Sequence, residues 1–162
     1  GKTTTTSLVA SVLSEAGLDP TFVIGGKLLS AGANARLGGS EWLVAEADES
    51  DGSFLRLNPL VAVVTNIDAD HLENYGGDFE RVKRAFDEFL HRLPFYGLAV
   101  LCIDDPEVAQ LAGATPRHVV RYGFAQSADV RASAVTQQGQ QMHFQLHLTG
   151  HASVPMALNL PG

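Results

Sequence analysis

The sequence predicts an α/β fold: a mostly parallel sheet with helices on both faces, followed by a small C-terminal antiparallel β-meander. Three observations carry that prediction. Trp42-Leu43-Val44-Ala45, Leu60-Val61-Ala62-Val63-Val64 and residues 98–103 are short runs apolar throughout, as strands buried on both faces are. Residues 79–93 place Val82, Phe86, Phe89, Leu90 and Leu93 at helical spacing, so a helix separates two of those strands. From about Asp129 the texture changes to alternation, with Met142-His143-Phe144-Gln145-Leu146-His147-Leu148 the clearest case.

The elements follow in order. Residues 3–16 read as a helix, with Leu8, Val12 and Leu13 on its apolar face and Gly17 as its stop. Residues 21–24 are β-branched and aromatic, hence a strand ending at Gly25-Gly26. The glycine-rich, aperiodic stretch 27–40 reads as a loop. Pro94 closes the helix over 79–93, residues 106–111 form a short helix, and residues 119–122 a further strand. Residues 130–135, 142–148 and 153–160 make the meander, with a turn at 137–139. The expected division is an α/β body over 1–125 and an antiparallel sub-sheet over 126–162.

With 162 residues, the chain is long enough to bury a real core, and 45% hydrophobic and 7% aromatic content suit a globular protein. No apolar run reaches the length that spans a bilayer. A net charge of -7 argues against a nucleic-acid or anionic-membrane surface. The lone Cys102 excludes an internal disulfide framework and fits a reducing cytoplasm.

The chemistry gathers at two kinds of place. Gly1-Lys2-Thr3-Thr4 runs straight into a helix, the arrangement with which a phosphate-binding loop ends. Gly1, Lys2, Thr3 and Thr4 are therefore the nucleotide-contact candidates: Lys2 for the β/γ-phosphates, Thr3 for Mg²⁺. The sequence opens within this motif, so four residues and a strand are expected before it in a longer protein. For Thr5 and Thr6 the simpler expectation is that their hydroxyls satisfy backbone N–H groups of the first helical turn. Two apolar strands then end in acidic clusters, where open α/β sheets collect ligands. After the first comes Glu46-Ala47-Asp48-Glu49-Ser50-Asp51, with Glu46 the best metal candidate and Asp48 pointing the same way if the backbone stays extended. Four carboxylates in six residues repel one another unless a cation offsets them. After the second comes Thr65-Asn66-Ile67-Asp68-Ala69-Asp70-His71, with His71 at the tip. Lys83 is exposed by pattern, and the other histidines are expected to be structural or at the surface.

Together with Leu93-Pro94-Phe95-Tyr96-Gly97 and Leu160-Pro161-Gly162, these stretches resemble the P-loop NTPase-like central ATP-binding domain of the Mur ligases, over essentially the whole chain. The resemblance implies ATP and Mg²⁺ as cofactors, and Lys2, Glu46 and His71 as catalytic residues. Thr3, Glu46 and His71 would be the metal positions; Asn66 and Asp48 would lie near the muramoyl substrate. The implied reaction joins L-alanine to the lactyl carboxylate of UDP-N-acetylmuramate through an acyl phosphate. Sister ligases carry a carbamylated lysine on the helix after the histidine motif; Lys83 is the only nearby candidate, and its register is open. The family's N-terminal UDP-binding and C-terminal amino-acid-binding domains have no counterpart in these residues, so the chain by itself is expected to lack ligase activity. The rival readings are a tripeptide-recycling ligase and a non-enzymatic P-loop nucleotide-binding module.

Overall fold

A computed structural model of the chain describes residues 1–25, 34–50, 52–69 and 72–160. It divides into two compact units, Gly1–Phe54 and Leu55–Gly162.

The first unit holds a helix, α1 (Lys2–Glu15), and a three-stranded sheet of β1 (Thr21–Val23), β2 (Ala35–Arg36) and β3 (Leu43–Ala45) in the order β2-β1-β3. The β1–β3 pair is parallel and the β1–β2 pair antiparallel. Strand β2 lies within the stretch expected as loop. Local anchoring explains it: the Arg36 guanidinium pairs with Asp19 at 2.7 Å and lies 5.8 Å from the centre of the Phe22 ring. Asp19 also accepts from the Gly39 amide. These contacts are long-range in sequence, so no local propensity announces them.

Helix α1 stops as expected. Leu18 N–H donates to the Leu13 carbonyl and Gly17 N–H to that of Ser14, a Schellman arrangement with Gly17 at φ +77°. Its buried face differs from the expected one. Ala10 is the buried residue and packs with Phe22 and Ile24, with Val44 against them, whereas Val12 is 64% exposed. A small alanine lets helix and strand approach closely, so here the shortest apolar side chain marks the inner face.

The second unit is a six-stranded sheet in sequential order: β4 (Val61–Val64), β5 (Leu98–Cys102), β6 (His118–Gly123), β7 (Val130–Gln138), β8 (Gln141–Leu148) and β9 (Val154–Leu158). Strands β4 to β7 pair in parallel, and β7 to β9 antiparallel. The meander is thus continuous with the parallel part: Tyr122 and Gly123 of β6 register with Val130 and Arg131 of β7. A bidentate Arg121–Asp129 pair at 2.8 and 3.0 Å sits beside that seam. Its guanidinium and the Arg121 amide hold the Asp129 carboxyl down at a pKa of about 2.

Helix α2 (Phe79–His91) buries Val82, Ala85, Phe89 and Leu90, and is capped by Asp78, whose carboxylate accepts from the Glu80 amide. Helix α3 (Pro106–Ala114) is capped by Asp105 on the Val108 amide, has proline in its first turn, and packs on β5. The largest fully buried side chains here are Leu90, Leu93, Leu101, Val82 and Val108. Not every apolar strand is covered on both faces, though: Val61 and Val63 of β4 stay more than 40% exposed while Ala62 and Val64 are buried. Lys83 is also less solvated than its position suggests. It pairs with Glu80 and, at 3.4 Å, with Glu107, so it ties α2 to α3.

The hairpin turn is confined to residues 139–140 instead of the expected 137–139, since Gln138 registers with Gln141 and Gly139 takes φ +61°. Register shifts between Ser133 and Thr136, where Ala134 adopts φ +50°. This bulge takes up the extra residue as β7 extends to Gln138.

Candidate functional site

The first turn of α1 and the segment leaving β3 come together within the first unit. Because β3 runs parallel to β1, both strands end on one side, and Glu46 is the first residue beyond β3. Its amide donates to the Val23 carbonyl at 2.9 Å, which extends the pairing by one step and fixes where its side chain starts. One carboxylate oxygen of Glu46 accepts from the Thr3 hydroxyl at 2.9 Å, and the other from the Gly25 amide at 2.8 Å. A Cβ built on Gly25 would lie 3.3 Å from that second oxygen, so glycine here admits the carboxylate against the backbone. The close approach at Gly25 is therefore made by Glu46.

Lys2 is held next to this. Its ammonium lies 2.5 Å from a Glu49 carboxylate oxygen and 3.2 Å from Asp48 Oδ1. Asp48 Oδ1 also accepts from the Ser50 amide at 3.0 Å. Partial burial works against the Lys2 ammonium, but the Glu49 and Asp48 carboxylates outweigh it and set its pKa above the usual lysine value. Asp48 is held below the ordinary carboxylate range, first by the Ser50 amide and hydroxyl and then by Lys2. The cation that an acidic run of this density requires is therefore Lys2. Glu49 received no role from the sequence; only the fold shows that it reaches Lys2 across 47 positions.

The hydroxyls of Thr5 and Thr6 behave differently from expectation, and Ser7 follows the same pattern. Thr5, Thr6 and Ser7 donate to the carbonyls four residues back, on Gly1, Lys2 and Thr3, instead of satisfying N–H groups. Thr4 is exposed.

Asn66 belongs to the second unit. It accepts from the Thr65 hydroxyl at 2.9 Å and donates to the Asp68 carboxylate, so its amide is oriented by its own loop. Asp70 and His71 lie outside the described residues, as do Gly26, Asp51 and the terminal Pro161-Gly162.

A magnesium ion fits the donor set in the first unit. Thr3 and Glu46 offer a hydroxyl and a carboxylate oxygen already 2.9 Å apart. Among the described residues no group of three or more His, Cys, Asp and Glu side chains forms a cage. Magnesium does not need one, because it retains waters and is held by one or two protein oxygens together with substrate phosphates.

A Gly-Lys-Thr run at a helix start, an acidic strand end on its threonine and a parallel sheet running into a meander define a class, and the comparisons agree. The Mur ligase middle-domain family matches residues 1–162, and the chain belongs to that family. Among relatives, it is 74% identical over its whole length to the UDP-N-acetylmuramate–L-alanine ligase of Xanthomonas campestris pv. campestris. It spans about a third (34%) of the length of that protein and of the other curated relatives it matches. Among solved structures, it resembles UDP-N-acetylmuramate-alanine ligase MurC from Thermotoga maritima with a TM-score of 0.84 at 28% identity, covering all of this chain and 35% of that one. The Neisseria meningitides UDP-N-acetylmuramate:L-alanyl-gamma-D-glutamyl-meso-diaminopimelate ligase gives the same TM-score at 27% identity, over all of this chain and 53% of that one. No helix among the described residues is long and apolar enough to cross a membrane.

Proposed function

We propose that this chain is the central ATP-binding domain of an ATP-dependent UDP-N-acetylmuramate–L-alanine ligase that works in the cytoplasm on peptidoglycan precursors. The observation that carries the reading is the Thr3–Glu46–Gly25 arrangement. A helix-start hydroxyl and a strand-end carboxylate share one hydrogen bond, and a backbone amide fixes the carboxylate's other oxygen.

In this reading Lys2 neutralises the β/γ-phosphates of ATP, with the helix-start amides of Gly1 to Thr4 facing the same anion. Thr3 and Glu46 hold Mg²⁺, with His71 at a second metal position, as the family resemblance implies. The metal, when bound, withdraws charge from the phosphates and eases attack by an anion. The lactyl carboxylate of UDP-N-acetylmuramate attacks the γ-phosphorus, and the bond to ADP breaks. The amine of L-alanine then adds to the acyl carbon and inorganic phosphate leaves. Two anions must be brought together in the first step, which is why the required groups are cations and positioning donors rather than a nucleophilic side chain. By the same resemblance, Asn66 and Asp48 would lie near the muramoyl group.

The 74% identity favours the alanine-adding enzyme over the tripeptide-recycling one. The fold alone does not separate them, since both solved relatives give a TM-score of 0.84. The test is phosphate release by the full-length protein, supplied with UDP-N-acetylmuramate and each acceptor in turn. Release requiring L-alanine is expected, and release requiring only the tripeptide, or neither substrate, overturns the reading. Glu46→Ala and His71→Ala should each lower turnover by about a hundredfold or more, the scale of losing a group that stabilises transition-state charge. Near-normal turnover removes the metal role from that residue.

A further inference from the structure

Both side chains with which the first turn of α1 would meet a nucleotide are already engaged by the acidic segment after β3. Thr3 is bound by Glu46, and Lys2 by Asp48 and Glu49. The two lysine contacts are unequal. Asp48 is at 3.2 Å, is 60% exposed and shares its oxygen with the Ser50 amide, whereas Glu49 is at 2.5 Å and 27% exposed. Glu49 is the principal partner. An ammonium drawn onto that carboxylate cannot at the same time give its full charge to a triphosphate, so nucleotide must take Lys2 away from Glu49.

We propose that Glu49 is a positioning residue that latches Lys2 in the nucleotide-free protein and thereby sets the affinity for the phosphates of ATP. The proposal rests on the nucleotide reading above and adds a regulatory element to that site. The carboxylate occupies the lysine as an internal stand-in for phosphate oxygens. It holds the cation in place and opposes anions too weakly charged to displace it, so a triphosphate is favoured over inorganic phosphate.

The size of the effect follows from the exposure of the pair. Ion pairs with this much solvent contact contribute modestly, and breaking one shifts an equilibrium by about two- to fivefold. Dissociation constants for MgATP, measured by calorimetry or by ligand-observed NMR at millimolar nucleotide, test this on the full-length protein. Glu49→Gln keeps the shape of the side chain and removes its charge, and should tighten binding by about two- to fivefold. The same substitution made on Lys2→Met should give no tightening, because there is no lysine to release. Unchanged or weaker binding by Glu49→Gln overturns the latch. So does an equal gain in the Lys2→Met background, which would mean plain repulsion between Glu49 and phosphate. If Lys2→Met binds too weakly to measure, Glu49→Asp decides: charge stays and reach shortens, so the latch requires tightening and simple repulsion requires none. Absence of MgATP binding by wild type and Glu49→Gln alike overturns the nucleotide reading itself, an outcome distinct from the failure of the latch.

Discussion

The two units of this chain use their residues in opposite ways. In Gly1–Phe54 the apolar cluster around α1 is Ala10, Phe22 and Ile24 with Val44 against it, and the polar side chains form two hydrogen-bonded sets, Thr3 with Glu46 and Lys2 with Asp48 and Glu49. In Leu55–Gly162 helices and strands share a run of fully enclosed side chains, Val82, Leu90, Leu93, Leu101 and Val108. Two charged pairs there, Arg121–Asp129 and Lys83–Glu107, fasten one element to another. The first unit gathers Lys2, Thr3 and Glu46 at its candidate site, while the second uses Arg121–Asp129 and Lys83–Glu107 at its own seams. A small core beside a dense polar group leaves the local geometry open to rearrangement when a ligand competes for the same partners.

Three substitutions sharpen this contrast. The largest expected effect is in the second unit: Leu90 is 0% exposed, and Leu90→Ala should destabilise by about 2–5 kcal/mol. Chemical denaturation would show the loss, and a change under about 1 kcal/mol would mean the two cores do not differ as described. Gly25→Ala comes next and should act on activity rather than stability. Its new Cβ would press 3.3 Å from Glu46 Oε2, and displacing that carboxylate by a few tenths of an ångström should cost roughly tenfold in turnover of the full-length protein. A large drop in melting temperature with turnover per folded molecule intact would refute it. The smallest effect concerns Asp129. Its folded pKa of about 2 lies below the ordinary 3.8, so the stabilisation it contributes is complete above about pH 4 and fades as pH falls through 2. The gap in melting temperature between wild type and Asp129→Asn should therefore close between pH 4 and pH 2. A gap that widens on acidification would contradict the assignment.

Much of the fold could be read from the sequence because its signals are local. The apolar runs at Val61–Val64 and Leu98–Cys102, the periodicity of Phe79–His91 and the alternation of Gln141–Leu148 each depend on a few consecutive residues. What escaped depends on distant partners. Strand β2 exists because Arg36 finds Asp19 and Phe22, and the inner face of α1 is set by the strands at Phe22 and Val44. The candidate site divides in the same way. Glu46 was visible as the first carboxylate after an apolar strand, while Glu49 looked like one more acidic residue in a solvated turn. Its proximity to Lys2 is a property of the folded chain, with no trace in spacing or composition. The hydroxyls of Thr5, Thr6 and Ser7 escaped for a different reason: donation to the preceding turn and acceptance from the helix start use the same residue types.

The β6–β7 seam has a consequence for how the second unit opens. Only Tyr122–Val130 and Gly123–Arg131 register across it, whereas β7 and β8 match along most of their length. The antiparallel end is therefore joined to the parallel end by a short stretch of main-chain ladder and one ion pair. Amide hydrogens in β7, β8 and β9 would then exchange with solvent as a group, independently of those in β4 and β5. The meander would behave as a separate cooperative unit within what the hydrogen-bond pattern draws as one sheet.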